Sequence, residues 1–318
     1  MSSLLVCTGR GLVRLEGEDG SWRALTLLDD VPARCVAARD GRLLVGSRDG
    51  AVLSPDGGAT WLRADLAESD VYSVAIGPDG TLYAGTEPSR LFRSRDGEGW
   101  DELEALQSIP SRDRWSFPPR PWTSHVRWIA PDPYRAERLL VGIELGGLMY
   151  SDDGGESFTD HRPGAERDVH ILAWHPEAED RAYEAAGGGA AWSRDGGWSW
   201  EAADSGRAHR YCWALAVDPE EPERWYVSAA HGPRQAHGGG PAAAGLYRWE
   251  GAGPWEAIGA GLPQPIDSMP YALGSSSTGL FAGLADGRLY RSADRGESWE
   301  ELPERVGAVV AMAVEDPS

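Results

Sequence analysis

Ser151-Asp152-Asp153-Gly154-Gly155-Glu156-Ser157-Phe158 is the stretch on which the fold turns, because it recurs. Ser54-Pro55-Asp56-Gly57-Gly58-Ala59-Thr60-Trp61, Ser193-Arg194-Asp195-Gly196-Gly197-Trp198-Ser199-Trp200 and Ser292-Ala293-Asp294-Arg295-Gly296-Glu297-Ser298-Trp299 carry the same pattern, Ser-x-Asp-x-Gly-x-x-aromatic. Ser94-Arg95-Asp96-Gly97-Glu98-Gly99-Trp100 is a copy one residue shorter. Ser and Asp side chains bond backbone amides a few residues on and so fix a tight turn locally. Glycine supplies backbone angles that a side chain forbids, and the aromatic lays apolar surface over the turn. A calcium loop would need more acidic ligands at alternate positions than these copies offer. Short apolar stretches such as Gly147–Tyr150, Arg90–Arg93 and Gly287–Tyr290 precede the motif, so each copy reads as the turn of a hairpin.

The motif serines are 40, 57, 42 and 99 residues apart, and the doubled last gap predicts a repeat without the motif. Trp213–Val217, Arg224–Ser228, Gly245–Arg248 and Trp255–Ile258 supply its strands. At the N-terminus Leu4–Thr8, Gly11–Leu15 and Trp22–Leu25 surround a degenerate turn at Glu16–Gly20, with no first strand, while a surplus strand, Val309–Val314, ends the chain. The expectation is an all-β, seven-bladed β-propeller with four-stranded antiparallel blades, closed by the C-terminal strand completing the N-terminal blade. The predicted blades are 1–29 with 306–316, then 30–67, 68–121, 122–166, 167–207, 208–263 and 264–305, all in one domain, 1–318.

Composition limits the partners. Fifty Asp plus Glu against 30 Lys plus Arg give a net charge of −20, which repels nucleic-acid phosphates and anionic lipid. No apolar run is long enough to span a bilayer. The N-terminus has no basic start and passes directly into a strand, so no secretory leader is visible. Cys7, Cys35 and Cys212 are odd in number and sit in strand patterns, which suits reduced thiols and a cytoplasmic location.

The repeated motifs resemble the Asp-box, or bacterial neuraminidase repeat (BNR), family, across the whole chain at the level of repeats. The family includes sialidases, some endoglucanases, sortilin-type receptors and photosystem-assembly-factor-like propellers. The resemblance implies that Asp56, Asp153, Asp195 and Asp294 lie between the third and fourth strands, away from any active site. The Phe-Arg-Ile-Pro segment of the sialidases is missing, the blade count differs from their six, and the flanks of Arg34, Arg127 and Arg210 give no support to an arginine triad. Sialidase activity is not expected.

Function on a repeat scaffold comes from what breaks the repeat. Aligned on their small residue, the first strands place Arg34, Tyr72, Arg127, His170, Trp213, Tyr271 and Val310 near one mouth of the central channel. Asp70, His125, Asp168 and Tyr211 stand two residues before Tyr72, Arg127, His170 and Trp213, on the same side of an alternating strand. Glu87 and Glu144 follow second strands and project to the same mouth. Two long insertions, Glu104–Ser124 and Ala229–Gly245, also belong to this rim and suggest a walled pocket; the second carries His231 and His237. Each residue has a plain structural alternative: histidines hydrogen-bonded in place, Arg127 ion-paired with Glu144 or Asp168, aspartates capping turns, aromatics filling the channel. Their concentration in one layer favours a site.

The expected function is a small-molecule hydrolase or lyase, glycosidase-like, acting on a small-molecule or carbohydrate ligand. Glu144, His125, His170 and Asp168 would be catalytic, Arg127 would anchor an anion, and Arg34, Asp70, Tyr72, Glu87, Tyr211, Trp213, His231 and Tyr271 would bind substrate. No metal ligands are assigned, because HExxH-like and CxxC spacings are absent. A divalent cofactor held by His125, His170 and a carboxylate stays open. The alternative is a non-catalytic propeller gripping a protein or peptide through the Trp- and Arg-bearing segment Arg112–Trp122.

Overall fold

The computed structural model describes residues 2–18, 21–68, 70–118 and 123–315. Asp19 and Gly20 of the degenerate turn, the end of the Arg112–Trp122 segment and residues 316–318 lie outside them. The chain forms seven antiparallel sheets. In chain order the blades after the N-terminal one begin at Ala33, Val71, Val126, Val169, Tyr211 and Pro270. Six sheets have four strands; in the fourth blade the outer strand is reduced to a single bridge between Tyr150 and Thr159.

Closure occurs as the surplus strand requires. Ala311–Glu315 pairs antiparallel with Ser2–Cys7, with Cys7 opposite Ala311 and Ser3 opposite Glu315. Arg14 reaches Glu315 at 3.2 Å from the adjoining strand. The first strands of successive blades touch all the way round, including Ala311–Glu315 against Ala33–Arg39, so these strands form the inner wall of the ring.

The motif turns hold themselves. In the fourth blade Ser151 Oγ donates to Asp153 Oδ1 at 2.8 Å and accepts from Gly155 N at 2.9 Å. Asp153 in turn accepts from Ser157 N at 2.9 Å and Ser157 Oγ at 2.6 Å. The copies at Asp56, Asp195 and Asp294 repeat this set. Asp56 and Asp294 have their carboxyls held below the usual range by bonds from Thr60 and Ser298 respectively. Among the described residues, the side-chain bonds to these four carboxylates all come from within their own turns.

At several seams a glycine of one blade interlocks with a valine of the next. A Cβ on Gly142, in the second strand of blade four, would lie 2.4 Å from Val169 Cγ1 of blade five, and one on Gly85 would lie 2.5 Å from Val126 Cγ1. The glycines let the second strand of one blade approach the β-branched start of the next. Among the described residues no helix is long and apolar enough to cross a membrane.

Candidate functional site

The first strand of a blade starts at one mouth and its second strand returns to it, while the Ser-x-Asp turn lies at the opposite end. That mouth opens into a cavity of about 810 Å³. Arg34, Tyr72, His125, Arg127, Glu144, Asp168, Tyr211, Trp213 and Tyr271 line it. Both insertions contribute wall: Phe117 and Pro118 from the first, Pro233 and His237 from the second.

A regular irregularity positions these side chains. In six blades the pairing of the first two strands slips at one place: across Arg34, Tyr72, Arg127, His170, Trp213 and Tyr271. A bulge leaves a residue unpaired and re-aims its side chain. The candidate layer is therefore a set of bulges, and simple two-residue alternation is not what brings the pairs together. The pairs are nonetheless neighbours. His125 and Arg127 share Glu144, His170 Nε2 lies 3.7 Å from Asp168, and Tyr211 stacks on Trp213 with centroids 6.2 Å apart.

Contacts run in an arc from blade two to blade seven. Arg34 pairs with Asp70 and lies 4.2 Å over the Tyr72 ring. Tyr72 stacks on His125 at 4.0 Å. His125 Nε2–H donates to Glu144 Oε2 at 2.6 Å, and its Nδ1 lies 3.3 Å from Glu87. Arg127 Nε is 3.4 Å from the same Glu144 oxygen, and its guanidinium lies 4.7 Å over Trp213. Trp213 packs on His170 at 4.5 Å and on His237 at 4.4 Å. Tyr211 donates to His237 Nε2 at 3.0 Å, and His237 Nδ1–H donates to Tyr271 at 2.9 Å.

Electrostatics separate two neighbouring carboxyls. Burial pushes Glu144 up, but the His125 hydrogen bond and the Arg127 charge outweigh it and hold the group at about 2. Asp168, pushed up by burial and then by the Glu144 charge, sits at about 6. His170 is fully buried, which drives it down to about 4. Its Nδ1–H donates to the Cys212 carbonyl at 2.6 Å, so Nε2 carries the lone pair. That buried nitrogen has no hydrogen-bond partner.

Several sequence expectations are placed differently, among them His170, which is fully buried behind the residues that line the cavity. His231 is not among the cavity-lining residues; it is exposed and packs edge-on against His209 at 4.4 Å. His237 lines the cavity instead, carried by the short helix Pro233–His237. The helix start was legible in Gly232-Pro233, since proline suits the first helical position, but not which histidine it would bring to the cavity. Trp115, read as contact surface, is buried, with its Nε1–H donated to Ser111 at 3.0 Å. Asp70 and Glu87 do not line the cavity; Asp70 pairs with Arg34, and Glu87 lies 3.3 Å from His125 Nδ1.

The sequence matches no family model, and no curated protein matches it. Solved structures do. The GH74 xyloglucanase from Xanthomonas campestris has a TM-score of 0.70 at 17% identity, covering 94% of this chain and 52% of that one. YCF48 bound to D1 peptide has a TM-score of 0.58 at 15% identity, covering 88% and 84%. A chain of a nidogen/laminin complex has a TM-score of 0.56 at 11% identity, covering 99% and 98%. The chain spans about half the length of that xyloglucanase. At such identities the likeness is one of fold.

Proposed function

We propose that the chain is a hydrolase or lyase on an Asp-box propeller, acting on a small anionic or carbohydrate ligand held in the channel-mouth cavity. The observation that carries this reading is geometric: Glu144, Asp168, Arg127 and Arg34 converge on one cavity, where their surroundings push the two carboxyls in opposite directions, Glu144 down and Asp168 up. Paired titratable groups whose environments push them apart mark acid–base assignments. Asp168 holds or releases a proton near neutral pH and is the acid–base group. Glu144 stays ionised and orients His125 and Arg127. Arg127 and Arg34 attract the anionic part of the ligand, and Trp213 and Tyr271 supply aromatic wall. The GH74 likeness is compatible with a carbohydrate ligand but transfers no residue.

The test is a panel of uronic acids and neutral gluco- and xylo-oligosaccharides, followed by Trp fluorescence and by release of reducing ends. Turnover in the native chain should drop about 10²–10⁴-fold in Asp168→Asn with KM little changed. No binding by any member, or full turnover in Asp168→Asn, defeats the reading. A peptide-gripping scaffold is the weaker alternative, because Trp115 of its proposed contact segment is buried.

A further inference from the structure

We infer that His170, Glu144 and Asp168 form a binding site for a first-row divalent cation on the floor of the cavity. This deepens the preceding reading of the cavity: with the cation bound, Asp168 is its ligand and not a proton carrier, and the binding itself does not depend on that reading. One donor atom from each residue lies within 4.8 Å of the others. His170 Nε2 is 3.9 Å from Glu144 Oε1 and 3.7 Å from Asp168 Oδ1, separations too long for hydrogen bonds. A bare, buried lone pair thus faces two carboxylate oxygens with nothing bonded to it. Burying an unsatisfied polar atom is costly, and a shared cation would satisfy all three donors at once.

The surroundings are those of a built ligand set. Ligating histidines usually donate their other ring nitrogen to a carbonyl or carboxylate, which fixes the tautomer; the Cys212 carbonyl does this for His170. Glu144 Oε2 is taken by His125 and Arg127, leaving Oε1 for the ion. His125, the other histidine considered from sequence, is excluded because its Nε2 is spent on Glu144. Metal–ligand bonds of about 2.0–2.2 Å set neighbouring donors roughly 3–3.5 Å apart, so closure on an ion draws the two carboxylates inward by up to about an ångström. One imidazole and two carboxylates suit zinc or manganese. Glu144 and Asp168 both line the cavity, so further coordination positions open toward a ligand, where a cation could polarise an oxygen.

The full chain, stripped with chelator and dialysed, is titrated with zinc and with manganese by calorimetry, and with cobalt(II) by visible absorption. One equivalent should bind, with d–d bands in the cobalt form. His170→Asn keeps a donor toward Cys212 and removes Nε2; Asp168→Asn removes a carboxylate. Each should weaken binding about 100-fold or more, while His231→Ala binds as the native chain does. Circular dichroism establishes that each variant is folded. Absence of saturable binding, or unchanged affinity in both His170→Asn and Asp168→Asn, overturns the site. Sugars that bind the stripped chain while no metal does overturn the metal site alone. Metal binding with no sugar uptake overturns the function proposed above and leaves the metal site standing.

Discussion

His170 of blade five donates its Nδ1–H across the blade seam to the carbonyl oxygen of Cys212 in blade six, at 2.6 Å. This bond fixes which nitrogen is bare and which way it faces. The ring is also fully buried between Tyr211 and Trp213. In nitrogen-15 spectra of the metal-stripped chain, His170 should therefore keep one tautomer, Nδ1 protonated, from pH 7 to pH 5. It should take up a second proton only near pH 4. A titration near pH 6.5 would show that the carbonyl and the burial do not act as described.

Asp168 and His170 should compensate one another in the acid stability of the fold. His170 is depressed from 6.5 to about 4, so between those values the unfolded chain binds more protons and stability falls on acidification. Asp168 is raised from 3.8 to about 6, so over that window the native chain binds more protons and stability rises on acidification. Removing the carboxyl in Asp168→Asn leaves the histidine contribution uncompensated. Thermal melts should show the variant at or above the native stability at pH 7. It should then lose on the order of 1–2 kcal/mol relative to native between pH 6 and pH 4, after allowance for screening of the partly exposed carboxyl. Parallel melting profiles across that range would refute the coupling.

Much of this arrangement was legible in the chain, for a local reason. The Ser-x-Asp turn is made by bonds within eight residues, such as Ser151 to Asp153 and Asp153 to Ser157, so its physics is written in one segment. Counting turns then yields the ring and its closing strand. His125, Arg127 and Glu144 were predictable neighbours because they share one register position at one mouth. The bulges were not legible: a register slip depends on the partner strand as much as on the slipped residue. Nor could sequence decide between His231 and His237, because that choice is made by how Pro233–His237 turns over the cavity. The missing outer strand of blade four was not legible either: after the single bridge at Thr159, the Asp160 side chain bonds the amide and hydroxyl of the insertion residue Ser111, a contact between distant segments.

Under the proposed function, a ligand anion and a buried carboxylate compete for Arg127. Its Nε is 3.4 Å from Glu144, whose side chain is only 8% exposed. Arg127→Ala removes the counter-charge of a nearly buried anion, and should cost about 2–3 kcal/mol of unfolding free energy by denaturant titration. Arg127→Lys should recover most of that stability but not ligand affinity, because a guanidinium presents a planar fork and stacks on Trp213 where an ammonium does not. Equal loss of stability in both variants would argue that packing, and not charge, is what Arg127 supplies.

Gly142 tests the seam between blades four and five. A methyl there would sit 2.4 Å from Val169 Cγ1 and 3.4 Å from Leu172 Cδ1, and neither neighbour is exposed. Overpacking of this kind typically costs about 1–3 kcal/mol. Gly142→Ala should show that loss by chemical denaturation, and Val169→Ala placed in the same chain should return part of it by vacating the space. The seam also carries the start of the strand bearing His170, so Gly142→Ala should weaken metal binding more than a comparable destabilisation elsewhere.

Asp153 provides that comparison from the far end of the same blade. Its carboxylate accepts from Ser157 N, Ser157 Oγ and Ser151 Oγ, at 2.9, 2.6 and 2.8 Å, and Asp153→Ala removes all three at a solvent-facing turn. Because water can satisfy the released groups there, the cost should be about 1–2 kcal/mol and not the sum of three buried bonds. The cavity residues sit at the opposite mouth, so ligand and metal affinity should stay within about twofold of native once the chain is folded. If Asp153→Ala instead abolished binding while leaving the melt unchanged, the turn aspartates would have to be given a direct role, and the placement of function at the bulged mouth would be wrong.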